Sequence, residues 1–162
     1  MNGYEIGDYK LTIIKKLIED PEVVSLLDPE KKFEYPDDLI YERIYPFTRI
    51  PSTEQETKAY ITIAVSVPQI DVRNDYIRNM RITIRAYSHA DIMRVKGTFA
   101  DRIDLLGAAV DRLLNESMDL GIGYVRLVSS TEHVLDSSHH YRELLFKTDD
   151  INSRRDGAKR WD

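Results

Sequence analysis

Residues 59–67 read AYITIAVSV and residues 78–88 read RNMRITIRAYS, and these two stretches decide the fold. In the first stretch, isoleucine or valine occupies every second position, with tyrosine, threonine, alanine and serine between them. In the second, methionine, isoleucine and alanine alternate with arginine, threonine and tyrosine. Alternation with period two predicts two β-strands, each with one buried and one polar face. The polar join between them predicts an antiparallel hairpin, and the polar faces predict a sheet that helices cover on one side only.

Segments with helical periodicity lie on both sides of the strand pair. Residues 8–19 predict an amphipathic helix capped by Asp8, and Asp20 followed by proline predicts the start of a short second helix. A further helix is expected to begin near Thr98, because this threonine and the aspartate three positions later have the spacing of a capping box. Two more strands are predicted at residues 124–130 and 141–148.

The predicted order of elements is helix, short helix, long arm, two strands, helix, two strands and tail. This order is typical of an α+β fold. We expect a mainly antiparallel sheet of about four strands, with two helices packed on one face. A chain of 162 residues suits one core. Residues 1–150 are therefore expected to form a single domain, and residues 151–162 a polar C-terminal tail.

A long extended arm, residues 28–57, separates the first helices from the first strand. Four prolines interrupt the arm, yet nine apolar or aromatic residues lie between positions 33 and 50. A flexible linker would not carry so many aromatic side chains. The arm is therefore expected to pack either against its own domain or against another copy of the chain. The side chains that we predict at a subunit interface are Phe33, Tyr35, Leu39, Tyr41, Tyr45 and Phe47.

The net charge of −5 is unevenly distributed along the chain. Residues 20–42 contain eight acidic residues and only two lysines. An acidic surface is a poor match for phosphates, so specific nucleic-acid binding is not expected. In contrast, Arg81 and Arg85 share the polar face of one predicted strand with Tyr87. This positive stripe is suited to lining a DNA passage or to meeting an acidic partner.

The sequence contains no pattern that predicts catalysis or cofactor binding. Cysteine is absent, and no glycine-rich phosphate loop, HExxH motif or nucleophile elbow occurs. His133, His139 and His140 have no metal-ligand spacing and are interpreted as parts of a hairpin tip. No apolar run has the length of a transmembrane helix, and no secretory signal is recognised. We therefore expect no enzyme activity, no cofactor, no metal and no membrane segment.

Over residues 8–150 the chain resembles the tail terminator or head–tail joining (neck) proteins of long-tailed bacteriophages. The stretches that carry the resemblance are PEVVSLL at 21–27, IYPFTRIP at 44–51, AYITIAV at 59–65, MRITI at 80–84 and ADRI at 100–103. The resemblance rests on the order and pattern of these stretches. It implies a hexameric ring that caps the finished tail tube and offers a docking surface to the head connector.

The resemblance further implies a structural virion protein of the tail or neck, assembled in the host cytoplasm. Its partners would be copies of itself, the tail tube protein and a head–tail connector or neck protein, with DNA passing through the ring. Arg81, Arg85 and Tyr87 would then face the lumen or a partner ring. The composition of the C-terminal tail leaves two alternatives: it frays, as polar chain ends usually do, or it docks on an acidic surface through Arg154, Arg155, Arg160 and the large anchor Trp161.

Three other classes of protein agree with the same sequence features. A head-completion or neck adaptor protein would share the small size, the α+β fold and the ring assembly. A component of a bacterial contractile injection particle would have the same structural role as a tail terminator. A small enzyme or regulator without a recognisable site is the third alternative, and turnover of a small molecule by a monomer would identify it.

Overall fold

One sheet forms the centre of the fold, in a computed structural model that describes residues 3–50, 57–70, 77–120 and 123–151. Its strands are β1 (Ile44–Tyr45), β2 (Ala59–Ile70), β3 (Ile77–His89), β4 (Arg126–Val134) and β5 (His139–Ile151). Within the described residues they lie side by side in the order β1-β2-β3-β5-β4. Neighbours run antiparallel except for β1, which is parallel to β2. The expectation of a mainly antiparallel sheet is confirmed, and the two-residue β1 raises the strand count from four to five.

Three helices, α1 (Gly3–Glu19), α2 (Pro21–Leu27) and α3 (Arg102–Leu114), pack against one face of this sheet. The short α2 thus joins the two predicted helices in the layer, and the α+β class is confirmed. The alternating apolar positions of β2 and β3 face the helices, as their pattern predicts. The core side chains include Ile13, Leu17, Leu27, Ile61, Ile63, Ile82, Ile84, Leu106, Val110, Leu144 and Phe146, all of which are buried.

Helix α2 begins as its sequence predicts. The Asp20 carboxylate accepts a hydrogen bond from the Val23 amide at 3.1 Å, and Pro21 occupies the first helical turn. Arg112 of α3 donates to the same carboxylate at 2.9 Å and therefore ties the two helices together. Burial opposes the charged form of Asp20, but the Val23 amide and Arg112 outweigh burial and lower the pKa of this carboxyl.

Glycine at position 107 lets α3 approach β5 closely. A Cβ atom at this position would lie 2.6 Å from the Cδ of Arg142, which crosses the helix at that point. The Arg142 guanidinium is held by Asp104 of α3, with Nη2–Oδ1 at 2.8 Å, and by Ser130 of β4. The glycine therefore makes room for a side chain that connects the helix layer to two strands.

The arm follows its own domain over residues 28–50. The Asp28 carboxylate is buried and accepts hydrogen bonds from the amides of Lys32 at 2.9 Å and Phe33 at 3.0 Å, which turns the chain out of α2. Leu39 is fully buried in the core beside the helices. The arm then adds β1 to the sheet edge, where Ile44 pairs with Ile61. The arm was expected to pack either against its own domain or against another copy of the chain. At Leu39 and β1 it packs against its own domain.

Three local predictions about element ends were wrong. Helix α1 begins at Gly3, so Asp8 lies inside the helix and its backbone carbonyl accepts a hydrogen bond from the Thr12 hydroxyl. Helix α3 begins at Arg102 rather than near Thr98, because the Thr98 hydroxyl accepts from the Ala100 amide in a separate turn. Strands β4 and β5 are longer than predicted and leave only residues 135–138 between them.

Candidate assembly surface

The face of the sheet turned away from the three helices, here called the open face, displays the polar positions of four strands. Strand pairing arranges these positions in rows that cross the sheet. The row at one end is aromatic and consists of Tyr60, Tyr87, Tyr141 and His133 on β2, β3, β5 and β4. Towards the other end of the sheet, three rows away, another row contains Ser66, Arg81, Lys147 and Arg126 on the same strands. The open face therefore has two chemically different ends.

The rings of the aromatic row are in direct contact. The centroids of Tyr60 and Tyr87 are 4.7 Å apart with nearly parallel planes, and those of Tyr87 and Tyr141 are 4.9 Å apart. His133 stacks on the other side of Tyr141 at 5.0 Å. Aromatic contacts at these distances contribute to stability beyond the area that they bury. The row is therefore a second, smaller apolar cluster on the side of the sheet opposite the main core.

The arm covers one end of the aromatic row. Tyr45 of β1 meets Tyr60 edge-on at 5.6 Å, and its hydroxyl donates to the Glu42 carbonyl at 3.0 Å. The Arg49 guanidinium lies over the Tyr45 ring at 4.7 Å, and the Lys58 ammonium donates to the Tyr45 hydroxyl at 2.8 Å. These cations lie over the faces of the rings, where the π-electrons attract them. The arm thus closes this end of the open face within one subunit.

Tyr87 lies between the rings of Tyr60 and Tyr141 and is buried. Only 1% of its surface is exposed. Burial raises the pKa of the Tyr87 hydroxyl, and the opposing influence of Arg85 is too weak to cancel it. Tyr87 was predicted to face a lumen or a partner ring, and the structure instead places it inside the aromatic cluster of its own subunit.

Arg85 belongs to the row next to the aromatic one and is already paired. Its Nε donates to the Glu143 carboxylate on β5 at 2.7 Å, and its guanidinium lies 5.6 Å from the centre of the Tyr141 ring. Burial favours the neutral form, yet the hydrogen bond to Glu143 outweighs burial and raises the pKa of Arg85. The positive stripe predicted from Arg81 and Arg85 is therefore divided, because the charge of Arg85 is neutralised within the sheet.

Arg81 instead belongs to a group of three cations that sequence alternation alone did not identify. Lys147 lies directly opposite Arg81 across β3 and β5, and Arg126 lies opposite Lys147 across β4 and β5. All three side chains are exposed, and none forms an ion pair with a residue that the structure describes. We call Arg81, Lys147 and Arg126 the cationic row. Strand alternation placed Arg81 on the polar face, but the register that aligns the three cations is visible only in the structure.

The six predicted interface residues of the arm divide into two groups. Leu39 and Tyr45 are buried in their own subunit, and Phe33 is half-buried against the main core. Tyr35 and Tyr41, by contrast, each expose 61% of their surface. Phe47 exposes 46% and lies 6.3 Å from the Tyr41 ring. Exposed apolar patches mark interaction surfaces, so the outward-facing arm side chains are the candidates for contact with a partner.

Tyr41 carries an additional sign of a constrained position. Its φ angle is 67°, in the left-handed region that large side chains rarely adopt, and its amide donates to the Ile44 carbonyl at 2.8 Å. The turn that leads into β1 holds the backbone in this conformation and directs the ring outward. Strain of this kind is concentrated at functional positions.

The tip of the β4–β5 hairpin is an aspartate-centred turn. The Asp136 carboxylate accepts hydrogen bonds from the amides of Ser138 and His139, each at 2.8 Å, and these bonds lower its pKa. The buried rings of His89 and His139 meet edge to face at 5.0 Å beside this turn. Within residues 3–50, 57–70, 77–120 and 123–151, no group of three or more metal-ligating side chains has the geometry of a metal site.

The predicted docking residues of the C-terminal tail lie outside the described residues. They are Arg154, Arg155, Arg160 and Trp161.

Among the described helices, none combines the length and apolar character that crossing a bilayer requires.

Comparison with known proteins now places the chain in a family. A search of curated proteins finds no match to the sequence. The family model of YomW matches residues 13–148, which include α2, α3 and nearly the whole sheet. The match covers most of the chain, and the family is phage-derived. The chain therefore belongs to the YomW family and is a phage-related protein.

Proposed function

We propose that this chain is a structural, non-enzymatic virion protein of a tailed phage that forms a ring where the tail tube meets the head. In this role it terminates the tail tube and joins it to the head connector or neck. Its partners are copies of itself, the tail tube protein and the connector, and it is assembled in the host cytoplasm. The phage-derived family and the resemblance to tail terminators support this proposal together.

The observation that carries the proposal is the exposed aromatic surface of the arm. Tyr35, Tyr41 and Phe47 remain exposed although their neighbours Leu39 and Tyr45 are buried in the same segment. Ile50 adds a further exposed apolar side chain at 66%. An assembled neighbour would bury these groups, and each aromatic ring that it buries is worth roughly 2–3 kcal/mol. Such a gain is large enough to drive association of small subunits.

Tyr41 allows assembly and folding to be separated in one experiment. Replacing it with glycine removes the exposed ring and places at φ 67° the residue that tolerates this angle best. We expect the free energy of unfolding of Tyr41→Gly to equal that of the wild type within about 0.5 kcal/mol in denaturant titrations. We also expect this variant to form no rings. Negative-stain images and light scattering after size-exclusion chromatography measure the rings.

The matched control removes an exposed apolar side chain of another surface. Met118→Ser changes a residue that is 66% exposed outside the arm, and we expect its rings to be normal. Rings that form equally well with Tyr41→Gly would argue against an assembly role of the arm. Binding of wild-type rings to purified tail tubes would support the terminator role. Rings that bind head connectors but no tail tubes would identify a neck adaptor instead.

A further inference from the structure

The cationic row is an unsatisfied feature of the open face. Residues directly opposite in an antiparallel pair have Cβ atoms about 5 Å apart, and like charges at such positions destabilise a sheet. Lys147 is opposite a cation on both sides, Arg81 on β3 and Arg126 on β4. The nearest acid on the same face of β5, Asp149, lies one row further and is opposite Asn79. Within the described residues, the cationic row is therefore an unfavourable arrangement that an acidic partner would relieve.

Five of the eight acidic residues in segment 20–42, Asp38 among them, already have partners within the chain. Asp20 and Glu22 pair with Arg112, Asp28 accepts backbone amides, and Glu30 pairs with Lys32 at 3.1 Å. These four carboxylates therefore stabilise helix ends and turns. They are not available to a second molecule without a cost to the fold.

Among the described residues, three acids of the arm, Glu34, Asp37 and Glu42, have no side-chain partner, and the first two lie close together in the sequence. Glu34 and Asp37 are exposed, and no hydrogen bond or ion pair joins their carboxylates to another residue that the structure describes. They flank Tyr35, which is itself 61% exposed. We call residues 34–37 the arm tip. It thus combines two unpaired negative charges with one exposed aromatic ring, the combination that a positively charged surface with apolar neighbours would bind.

The arm tip is held in one conformation. The Asp38 amide donates to the Tyr35 carbonyl at 3.0 Å, and the Tyr35 amide donates back to the Asp38 carboxylate at 3.2 Å. Pro36 fixes the backbone between them. A segment that is ordered before it binds loses less conformational entropy on association, so modest contacts suffice.

The arm tip cannot reach the cationic row of its own subunit. It lies in the helix layer, next to a groove formed by Ile18 and Val24 of the first two helices and Phe33 of the arm. The cationic row lies on the other face of the sheet. Two complementary patches on opposite faces of one molecule fit a head-to-tail contact, and a head-to-tail contact generates rings when its rotation closes.

We propose that the arm tip of one subunit docks on the cationic row of a second copy of this chain, so that Glu34 and Asp37 offset most of the positive charge of Arg81, Lys147 and Arg126. This inference rests on the proposed ring assembly and identifies the contact that closes it. Its electrostatic part weakens with salt, because exposed pairs are screened beyond a Debye length of about 10 Å at 0.1 M ionic strength.

Charge reversal on each side tests the contact. The variant Arg81→Glu/Lys147→Glu and the variant Glu34→Lys/Asp37→Lys should each associate at least about tenfold more weakly than the wild type at low salt. The chain that carries all four changes restores opposite charges and should associate within a few-fold of the wild type. Native mass spectrometry and light scattering measure association, and circular dichroism verifies that every variant is folded.

The control Lys15→Glu/Lys96→Glu makes the same change in net charge as Arg81→Glu/Lys147→Glu, at two other exposed positions. We expect it to associate like the wild type. If the four-fold variant associates no better than either reversed pair, the docking contact is refuted. If wild-type rings form and both reversed pairs still form them, the contact is refuted while ring assembly stands. A wild type that stays monomeric even with tail tubes refutes the ring itself and the contact with it.

The other use of a positive row would be contact with DNA. Fluorescence anisotropy with a short labelled duplex measures this directly for the same variants. We expect no difference in duplex binding between the wild type and Arg81→Glu/Lys147→Glu. A loss of duplex binding with unchanged ring assembly would assign the cationic row to DNA passage and overturn the docking proposal.

Discussion

The two ends of the open face both carry lysine and arginine, but among the described residues these cations are paired at one end and unpaired at the other. At the aromatic end, Arg49, Lys58 and Arg85 all lie against tyrosine rings, and Arg85 also pairs with Glu143. At the other end, the three members of the cationic row lie side by side without an acid or a ring from the described part of the chain. One end is therefore completed within the subunit, and the other is not.

This difference separates charges that are paired within the fold from charges that have no partner in the described part of the chain. A cation that is packed on a ring or paired with an acid contributes to folding, and its removal is expected to destabilise the subunit. A cation that is exposed beside other cations contributes little or is unfavourable. The same distinction separates Asp20, which caps α2, from Glu34 in the arm tip. Four predictions test the distinction, from the largest expected effect to the smallest.

The largest effect is expected in the aromatic row. Tyr87→Ala removes the ring that contacts both Tyr60 and Tyr141 and leaves a cavity between them. We expect the free energy of unfolding to fall by about 3–5 kcal/mol, as measured by urea denaturation. Tyr124→Ala, at a tyrosine that is 52% exposed, is the control and should change it by no more than about 0.5 kcal/mol. A loss below about 1 kcal/mol for Tyr87→Ala would mean that the row does not support the fold.

The second prediction compares two arginines on one strand. Arg85→Ala leaves Glu143 without its partner and should cost about 1–2 kcal/mol, since both side chains are partly exposed. Arg81→Ala should change the free energy of unfolding by less than about 0.5 kcal/mol. Denaturation of the two variants under identical conditions measures the difference. Equal losses in the free energy of unfolding would contradict the view that Arg85 stabilises the fold and Arg81 does not.

The third prediction concerns the acids. Asp20→Ala should cost about 1 kcal/mol because the cap of α2 is lost, whereas Glu34→Ala should be neutral. Asp20→Asn keeps an oxygen that caps the helix and removes only the charge. Because folding lowers the pKa of Asp20 from its ordinary value of 3.8, its charge stabilises the fold above that value.

The contribution of the Asp20 charge is lost as the pH falls through the lowered pKa. We therefore expect the wild type to be more stable than Asp20→Asn at pH 7 and equal to it in strong acid. Thermal unfolding of both proteins over a pH series measures this convergence. A stability difference that persists unchanged in strong acid would show that the carboxylate charge is not its origin.

The smallest effect has the opposite sign. Lys147→Gln removes the central charge of the cationic row and with it the repulsion from both neighbours. We expect the free energy of unfolding to rise by about 0.2–1 kcal/mol at low salt and this gain to shrink at high salt. Lys15→Gln on α1 is the control. A decrease in stability would indicate that Lys147 has a favourable partner within the subunit.

Much of the architecture was predictable because it depends on local patterns. Period-two alternation predicted β2 and β3 with their buried faces, and Asp20-Pro21 predicted the start of α2. Helix starts were less predictable: the Thr98 hydroxyl accepts a hydrogen bond in a separate turn before α3, and Asp8, although its residue type suits a cap, lies inside α1. A cap is chosen among several local alternatives by the packing of the whole helix, which a short sequence window does not contain.

The sequence by itself determined the α+β class, the order of the elements and the side of each strand that faces the helices, because these follow from the spacing of apolar residues along the chain. Only the tertiary structure decided which arm residues are buried and which cations are neighbours. Arg81, Lys147 and Arg126 come from three strands, and strand register alone brings them into one row. Register is set by turns, bulges and the packing of distant segments. A contact between strands therefore cannot be inferred from any single position in the sequence.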